Sequence, residues 1–418
     1  MLLNDQHLNI FRSFVYNCTM HFTSSKFVIQ KLLLLSIILI SLTASLGLIF
    51  STVLDKSEIT NKSNLSQDCL KITNPSNRLV CQVEKLEEVL KTDDFIAAFN
   101  LISTYYQNDL LFQKQCHSFT HIIGERGYDF FSKYQKIDLG NNSSYCGFGF
   151  YHGFMEALIY KTNNLSQARE FCNYVADKTR FSVRKAEGSC YHGIGHGVVD
   201  GSDPRSWGDP LKIVQPGLEL CDKVTTSEKF RFMCAGGIFN SLAIMYRNSE
   251  NGLQRNQEDP FKICFGFEGY VQSACLNQMN TFVVSLSDKD QTKAGKFVEK
   301  IPVYINSEDA MDSTMSYFAA SNQNPTQFEA IIRVCQNFRT NLINSCISGY
   351  AAGLIEFAQP DKEYEAAINF CQSDLLSAYQ ENECFKRVFG YLKMLYPPIR
   401  LESICSSLDF KYRVYCKN

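Results

Sequence analysis

Three short segments carry almost all of the coordination chemistry visible in this chain: CHSFTHIIGERGYDFF (116–131), CGFGFYHGFMEALI (146–159) and CYHGIGHGVVD (190–200). The chain has only seven histidines, and five of them, His117, His121, His152, His192 and His196, fall within these segments. In each segment a histidine is followed four residues later by a second donor: His117 by His121, His152 by Glu156, His192 by His196. On a helix, positions i and i+4 share a face with Cβ atoms about 6 Å apart, so such pairs can reach one cation.

Imidazole suits zinc, copper, iron or nickel, and a mixed imidazole and carboxylate set favours zinc, iron or manganese over copper. The expected ligands are therefore His117, His121, His152, Glu156, His192 and His196. An ion with an open position would acidify a bound water, and Glu156 or Glu125 would then serve as general base for attack on a carbonyl or phosphoryl group. Asp129 and Asp200 continue the same helical register and would orient imidazoles from behind. The competing reading keeps the histidines as hydrogen-bonded packing residues. It gains weight from Gly193, Gly195 and Gly197, which would void the i, i+4 geometry if they broke the helix. No HExxH protease motif, CxxCH haem site or GxSxG elbow is present.

The elements that must position these segments are legible in the cysteines. Sixteen of the seventeen fall into consecutive pairs: 69/81, 116/146, 172/190, 221/234, 264/275, 335/346, 371/384 and 405/416. Second members recur at steps of 44, 44, 41, 71, 38 and 32, a unit of roughly 40 residues. The long step contains QTKAGKFVEKIPVYINSEDAMDSTMSYFAAS, with the same outline of helix, short break and helix but no cysteine pair. First cysteines end amphipathic stretches such as FEAIIRVC, and second cysteines begin others such as CISGYAAGLIEFA. Helical spacing, few prolines and little strand-like alternation predict an all-α, solenoid-like array of αα-hairpins. Six of the eight pairs are 11 to 13 residues apart, so a disulfide across such a hairpin would close a loop of about a dozen residues, worth roughly 3 kcal/mol in the chain-entropy account. The absence of any CxxC argues against zinc-ribbon use of the thiols.

The layout resembles the cysteine-rich αα-repeat proteins of bacterial secretions, in which a short-range disulfide ties the two helices of each repeat. The resemblance is to the architecture. The alanine, leucine and glycine pattern of those repeats is missing here, so no functional residue is carried over.

Glycines recur four apart behind second cysteines: Gly149 with Gly153, Gly193 with Gly197, Gly349 with Gly353. Each pair clears one helix face for a close neighbour, and packing is the expected use of Gly349 and Gly353.

Residues 32–54, LLLLSIILISLTASLGLIFSTVL, run for 23 residues without a charge and as a helix would span roughly 34 Å. Arg12, Lys26 and Lys31 precede it against Asp5, which predicts a signal-anchor with the N-terminus in the cytoplasm. A cleaved signal peptide is the alternative. Cys18 alone precedes the run, so the paired cysteines would lie in an oxidising exterior. Sequons at Asn61, Asn64, Asn141, Asn142 and Asn164 are compatible with that side.

The expected organisation is a cytoplasmic segment 1–31, a transmembrane helix 32–54, a linker 55–68, exterior repeats with the histidine motifs over 69–290, and further exterior repeats over 291–418. With 41 basic and 43 acidic side chains and no basic patch, the composition argues against nucleic acid as the partner. The expected function is that of a cell-membrane protein with an extracytoplasmic metal site, capable of metal-dependent hydrolysis. The alternative is a non-catalytic exterior module binding a protein or small molecule on its concave face, with structural histidines.

Overall fold

The computed structural model describes residues 68–417, apart from 201–203, 255 and 322. The apolar run 32–54 and the residues flanking it lie outside the described residues. Among the described residues there is no strand, and no helix is long and apolar enough to cross a membrane.

The chain begins with α1 (Pro75–Leu90), α2 (Phe95–Asn108), α3 (Leu110–Tyr134), α4 (Tyr145–Thr162), α5 (Leu165–Thr179) and α6 (Ala186–Asp200). It continues through α7 (Pro210–Val224), α8 (Glu228–Asn248), α9 (Gly269–Gln278), α10 (Asn280–Leu286), α11 (Gln291–Glu299) and α12 (Glu308–Ser321). The last are α13 (Phe328–Gln336), α14 (Thr340–Glu356), α15 (Glu363–Cys371), α16 (Ala378–Leu395), α17 (Pro398–Ser407) and α18 (Val414–Lys417). Helix starts follow local chemistry. Asp94, Asp109, Asn164 and Asp209 accept from the first free N–H groups of α2, α3, α5 and α7, and Ser377 with Gln380 forms a capping box on α16.

Two classes of helix alternate. The flanking helices are amphipathic: α13 buries Phe328, Ile331, Ile332 and Cys335, the spacing of one helical stripe. The central helices are buried nearly all round, as in α14 from Gly349 to Ile355. Central helices pack side by side in the order α3, α4, α6, α8, α9 with α10, α12, α14 and α16, while α5, α7, α13 and α15 back their own partners. The row returns on itself. Tyr106 of α2 donates to the Phe357 carbonyl, Tyr145 to Asp361 at 2.9 Å, and the Lys185 N–H to the Met394 carbonyl at 3.3 Å. The segment after α14 and the last turn of α16 are thereby held against the first half of the row.

All eight consecutive cysteine pairs are disulfides. Six of the later ones tie a flanking element to the helix after it, as expected of stapled hairpins. Cys116–Cys146 differs, because it joins two neighbouring central helices, α3 and α4, with no flanking helix between them. That explains why His117 follows a first cysteine and His152 and His192 follow second ones. The pair-free unit is also a hairpin, α11 with α12.

Glycine sets the spacing of the central row. A Cβ on Gly153 would stand 2.2 Å from the His121 carbonyl oxygen, and one on Gly349 would stand 2.2 Å from that of Asp312. Real side chains tolerate neither, so α3 against α4 and α12 against α14 are backbone-to-backbone contacts that only glycine permits.

Candidate metal centre

The close glycine contacts bring the three histidine segments face to face. Gly193, Gly195 and Gly197 do not break their helix: α6 runs unbroken through them. His192 and His196 therefore keep the i, i+4 relationship, as do His117 with His121 and His152 with Glu156.

Five imidazoles converge in two sets that share one member. Ligand-capable atoms of His117, His121 and His152 lie within 4.8 Å of one another, and so do those of His152, His192 and His196. In the first set, His117 Nε2 stands 3.2 Å from both His121 Nε2 and His152 Nδ1. In the second, His192 Nε2 and His196 Nε2 are also 3.2 Å apart. A tetrahedral ion with nitrogen ligands at about 2.0–2.1 Å has ligand–ligand edges of about 3.3–3.4 Å, so each set has the spacing to hold an ion, although N–H···N hydrogen bonds have the same length.

The rear nitrogen of each first-set helix pair is tied down. His117 Nδ1 lies 2.7 Å from the Cys146 carbonyl oxygen, which can only accept, so Nδ1 carries the proton and Nε2 holds a lone pair. His121 Nδ1 faces Glu156 Oε2 at 3.2 Å, with the same consequence. The Cys146 carbonyl is presented by an unusual turn: Cys146, Gly147 and Phe148 have φ of 54°, 70° and 63° at the head of α4. Two non-glycine residues in the left-handed region cost of order 1–3 kcal/mol each, a strain held by the Cys116 disulfide and the surrounding core.

In the second set, His196 Nδ1 meets Ser241 Oγ at 2.9 Å and Glu156 Oε1 at 3.8 Å, and His192 hydrogen-bonds the backbone of Met233. Burial, reinforced by neighbouring imidazoles, moves four rings down from the ordinary histidine range. Burial pushes His117 and His196 to about 4, and His152 and His192 well below 6.5. These rings are neutral at physiological pH and offer lone pairs.

The expected ligand set is thus brought together, with one change of position. Glu156 stands behind the rings, one oxygen toward His121 Nδ1 and the other toward His196 Nδ1, on the side away from the converging Nε2 atoms. Glu125 is not a member of either converging set. Asp129, expected behind an imidazole, instead pairs with Lys161 at the surface.

A second polar group adjoins the histidines and had no signal in the sequence. Lys185, Glu356 and Tyr391 form a cluster in which Tyr391 donates to Glu356 and Lys185 lies 3.3 Å from the same oxygen and over the Tyr391 ring. Burial lowers the Lys185 pKa. Burial would raise that of Glu356, but Lys185 and the Tyr391 hydroxyl together outweigh it and hold the carboxyl below its usual range. Glu356 Cγ and His117 Nδ1 lie 3.8 and 3.4 Å from the point where a Cβ on Gly147 would stand, so Glu356 borders the first histidine set. These three residues come from remote repeats, and only the closure of the row assembles them. Ser241 and the Cys146 carbonyl are likewise contributed by the fold alone.

No protein-family model, curated protein or solved structure matches this chain.

Proposed function

We propose that the protein is an extracytoplasmic helical repeat protein, anchored through residues 32–54, whose first histidine set holds a divalent transition-metal ion. One observation carries the reading. His117 Nε2 and His121 Nε2 are 3.2 Å apart while each ring has its Nδ1 proton committed to an acceptor. Two lone pairs at that distance repel unless a proton or a cation lies between them. Burial disfavours the proton, because a charged imidazole would have to stand in a desolvated site. A cation bound to both removes the conflict.

His117, His121 and His152 supply three neutral nitrogen donors, which favours zinc among the common ions. Three protein donors leave one position of a tetrahedral ion for water, the arrangement used for hydrolysis, and such a water ionises near pH 7. Glu156 holds the His121 tautomer and the orientation of that ring. His121 retains 21% side-chain exposure and Glu156 15%, so this side of the site is in contact with solvent. The eight disulfides suit an oxidising compartment.

Elemental analysis of the purified, oxidised full chain after dialysis against Zn2+ tests the reading. It expects at least one ion per chain, and one ion fewer in the His117→Gln/His121→Gln double variant. Metal content equal in the two proteins would overturn it.

A further inference from the structure

We propose that the second set, His152, His192 and His196, holds a second divalent transition cation, with the His152 imidazole shared between the two positions. The proposal rests on the metal reading of the first set and extends it to a two-ion centre. Three observations support it.

The second set is more enclosed than the first. His152, His192 and His196 are 7%, 8% and 5% exposed. Their approach is set by glycines on both sides of α6 and α8. A Cβ on Gly237 would stand 1.9 Å from the His192 carbonyl oxygen, one on Gly195 2.0 Å from that of Cys234, and one on Gly236 3.2 Å from His192 Nδ1.

His196 Nδ1 is held by Ser241 and the His192 ring hydrogen-bonds the Met233 backbone, while the two Nε2 atoms stand opposed at 3.2 Å. A Ser241 hydroxyl donating to Nδ1 would place the His196 proton on Nε2 and satisfy this pair without an ion. Glu156 acts against that tautomer, since its Oε1 faces the same Nδ1 at 3.8 Å and a carboxylate can only accept. The same carboxylate thus hydrogen-bonds His121 with one oxygen and acts on His196 through the charge of the other.

The third observation is the position of His152 in both sets. Its Nδ1 faces His117 Nε2. Sharing assigns Nε2 to the second ion: the ring gives up its remaining N–H proton to solvent, and each nitrogen of the resulting imidazolate forms one bond to one cation.

Native mass spectrometry of the full chain loaded with Zn2+ and freed of excess ion decides the matter. The proposal expects two ions in the wild type, one in His196→Gln, one in His117→Gln and none retained in His152→Ala, with unchanged far-ultraviolet circular dichroism. A single ion in the wild type that is unaffected by His196→Gln overturns the two-ion proposal and leaves the first site standing. No ion in the wild type overturns both. Should His196→Gln fail to fold, Cu2+ loading of the wild type replaces it: magnetically coupled copper supports the shared imidazole, and an uncoupled signal integrating to one copper per chain overturns it.

Discussion

His117 Nε2 and His121 Nε2 stand 3.2 Å apart on one turn of α3, with the His117 Nδ1 proton on the Cys146 carbonyl and that of His121 on Glu156. The pair is preset for a cation because both rear nitrogens are occupied by acceptors from a different helix.

Glu156 is therefore a positioning residue whose loss is felt through its neighbours. Glu156→Gln keeps the shape but can present an N–H to His121 Nδ1, which permits the wrong tautomer. Loss of such an outer partner typically costs about 10–100-fold in metal affinity. Competition titration with a chromophoric chelator is expected to show a loss in this range, and Glu125→Gln is expected to change nothing. Equal affinities in the wild type and Glu156→Gln would contradict this role.

Acid is expected to destabilise the metal-free protein in a defined window. Burial holds His117 and His196 at about 4 in the folded chain, against 6.5 when unfolded. As pH falls through 6.5 the unfolded chain takes up protons first. The folded chain follows only near 4, so stability declines across that interval and then levels off. Each unit of difference is worth about 1.4 kcal/mol per group before relaxation. Thermal melts of the metal-free protein between these limits should show the decline, partly flattened in His117→Gln/His196→Gln. A midpoint independent of pH there would show that the rings are not buried in neutral form.

The glycine contacts make a separate, steric prediction. In Gly153→Ala the added methyl would stand 2.2 Å from the His121 carbonyl oxygen, so α3 and α4 must separate. Overpacking of this kind costs about 1–3 kcal/mol or more. Gly266→Ala, where a Cβ meets nothing within 4 Å, is the control. Denaturant unfolding is expected to place Gly153→Ala clearly below the control, with metal affinity reduced as well. Matching midpoints would mean that the helices do not touch as described.

The disulfides predict that non-reducing alkylation followed by intact-mass measurement finds no free thiol among the sixteen paired cysteines. Removing a native disulfide from a small domain typically costs 2–5 kcal/mol. Reduction is thus expected to lower the thermal midpoint and release bound metal, since Cys116–Cys146 adjoins the His117 contact. Several alkylated cysteines before reduction would refute the pairing.

Much of this architecture is legible in the chain because its signals are local. The stripe of Phe328, Ile331, Ile332 and Cys335 declares a helix, and the cysteine spacing declares a hairpin staple, each within a dozen residues. The ligand candidates are also readable, since i, i+4 pairs share a helix face whatever the rest of the fold does. What escapes the sequence is set by contacts between distant segments. Glu156 is recognisable as a partner of the histidines, but its place behind His121 and His196 depends on how α4 seats between α3 and α6. The α3–α4 disulfide breaks the regular alternation, and Lys185, Glu356 and Tyr391 meet only because the row of helices returns on itself.

Anomalous diffraction at the zinc edge from crystals of the Zn2+-loaded protein tests the central claim most directly. The account predicts a peak bonded to His117 Nε2, His121 Nε2 and His152 Nδ1 at about 2.0–2.1 Å. The same histidine geometry with no peak between those three nitrogens would contradict it.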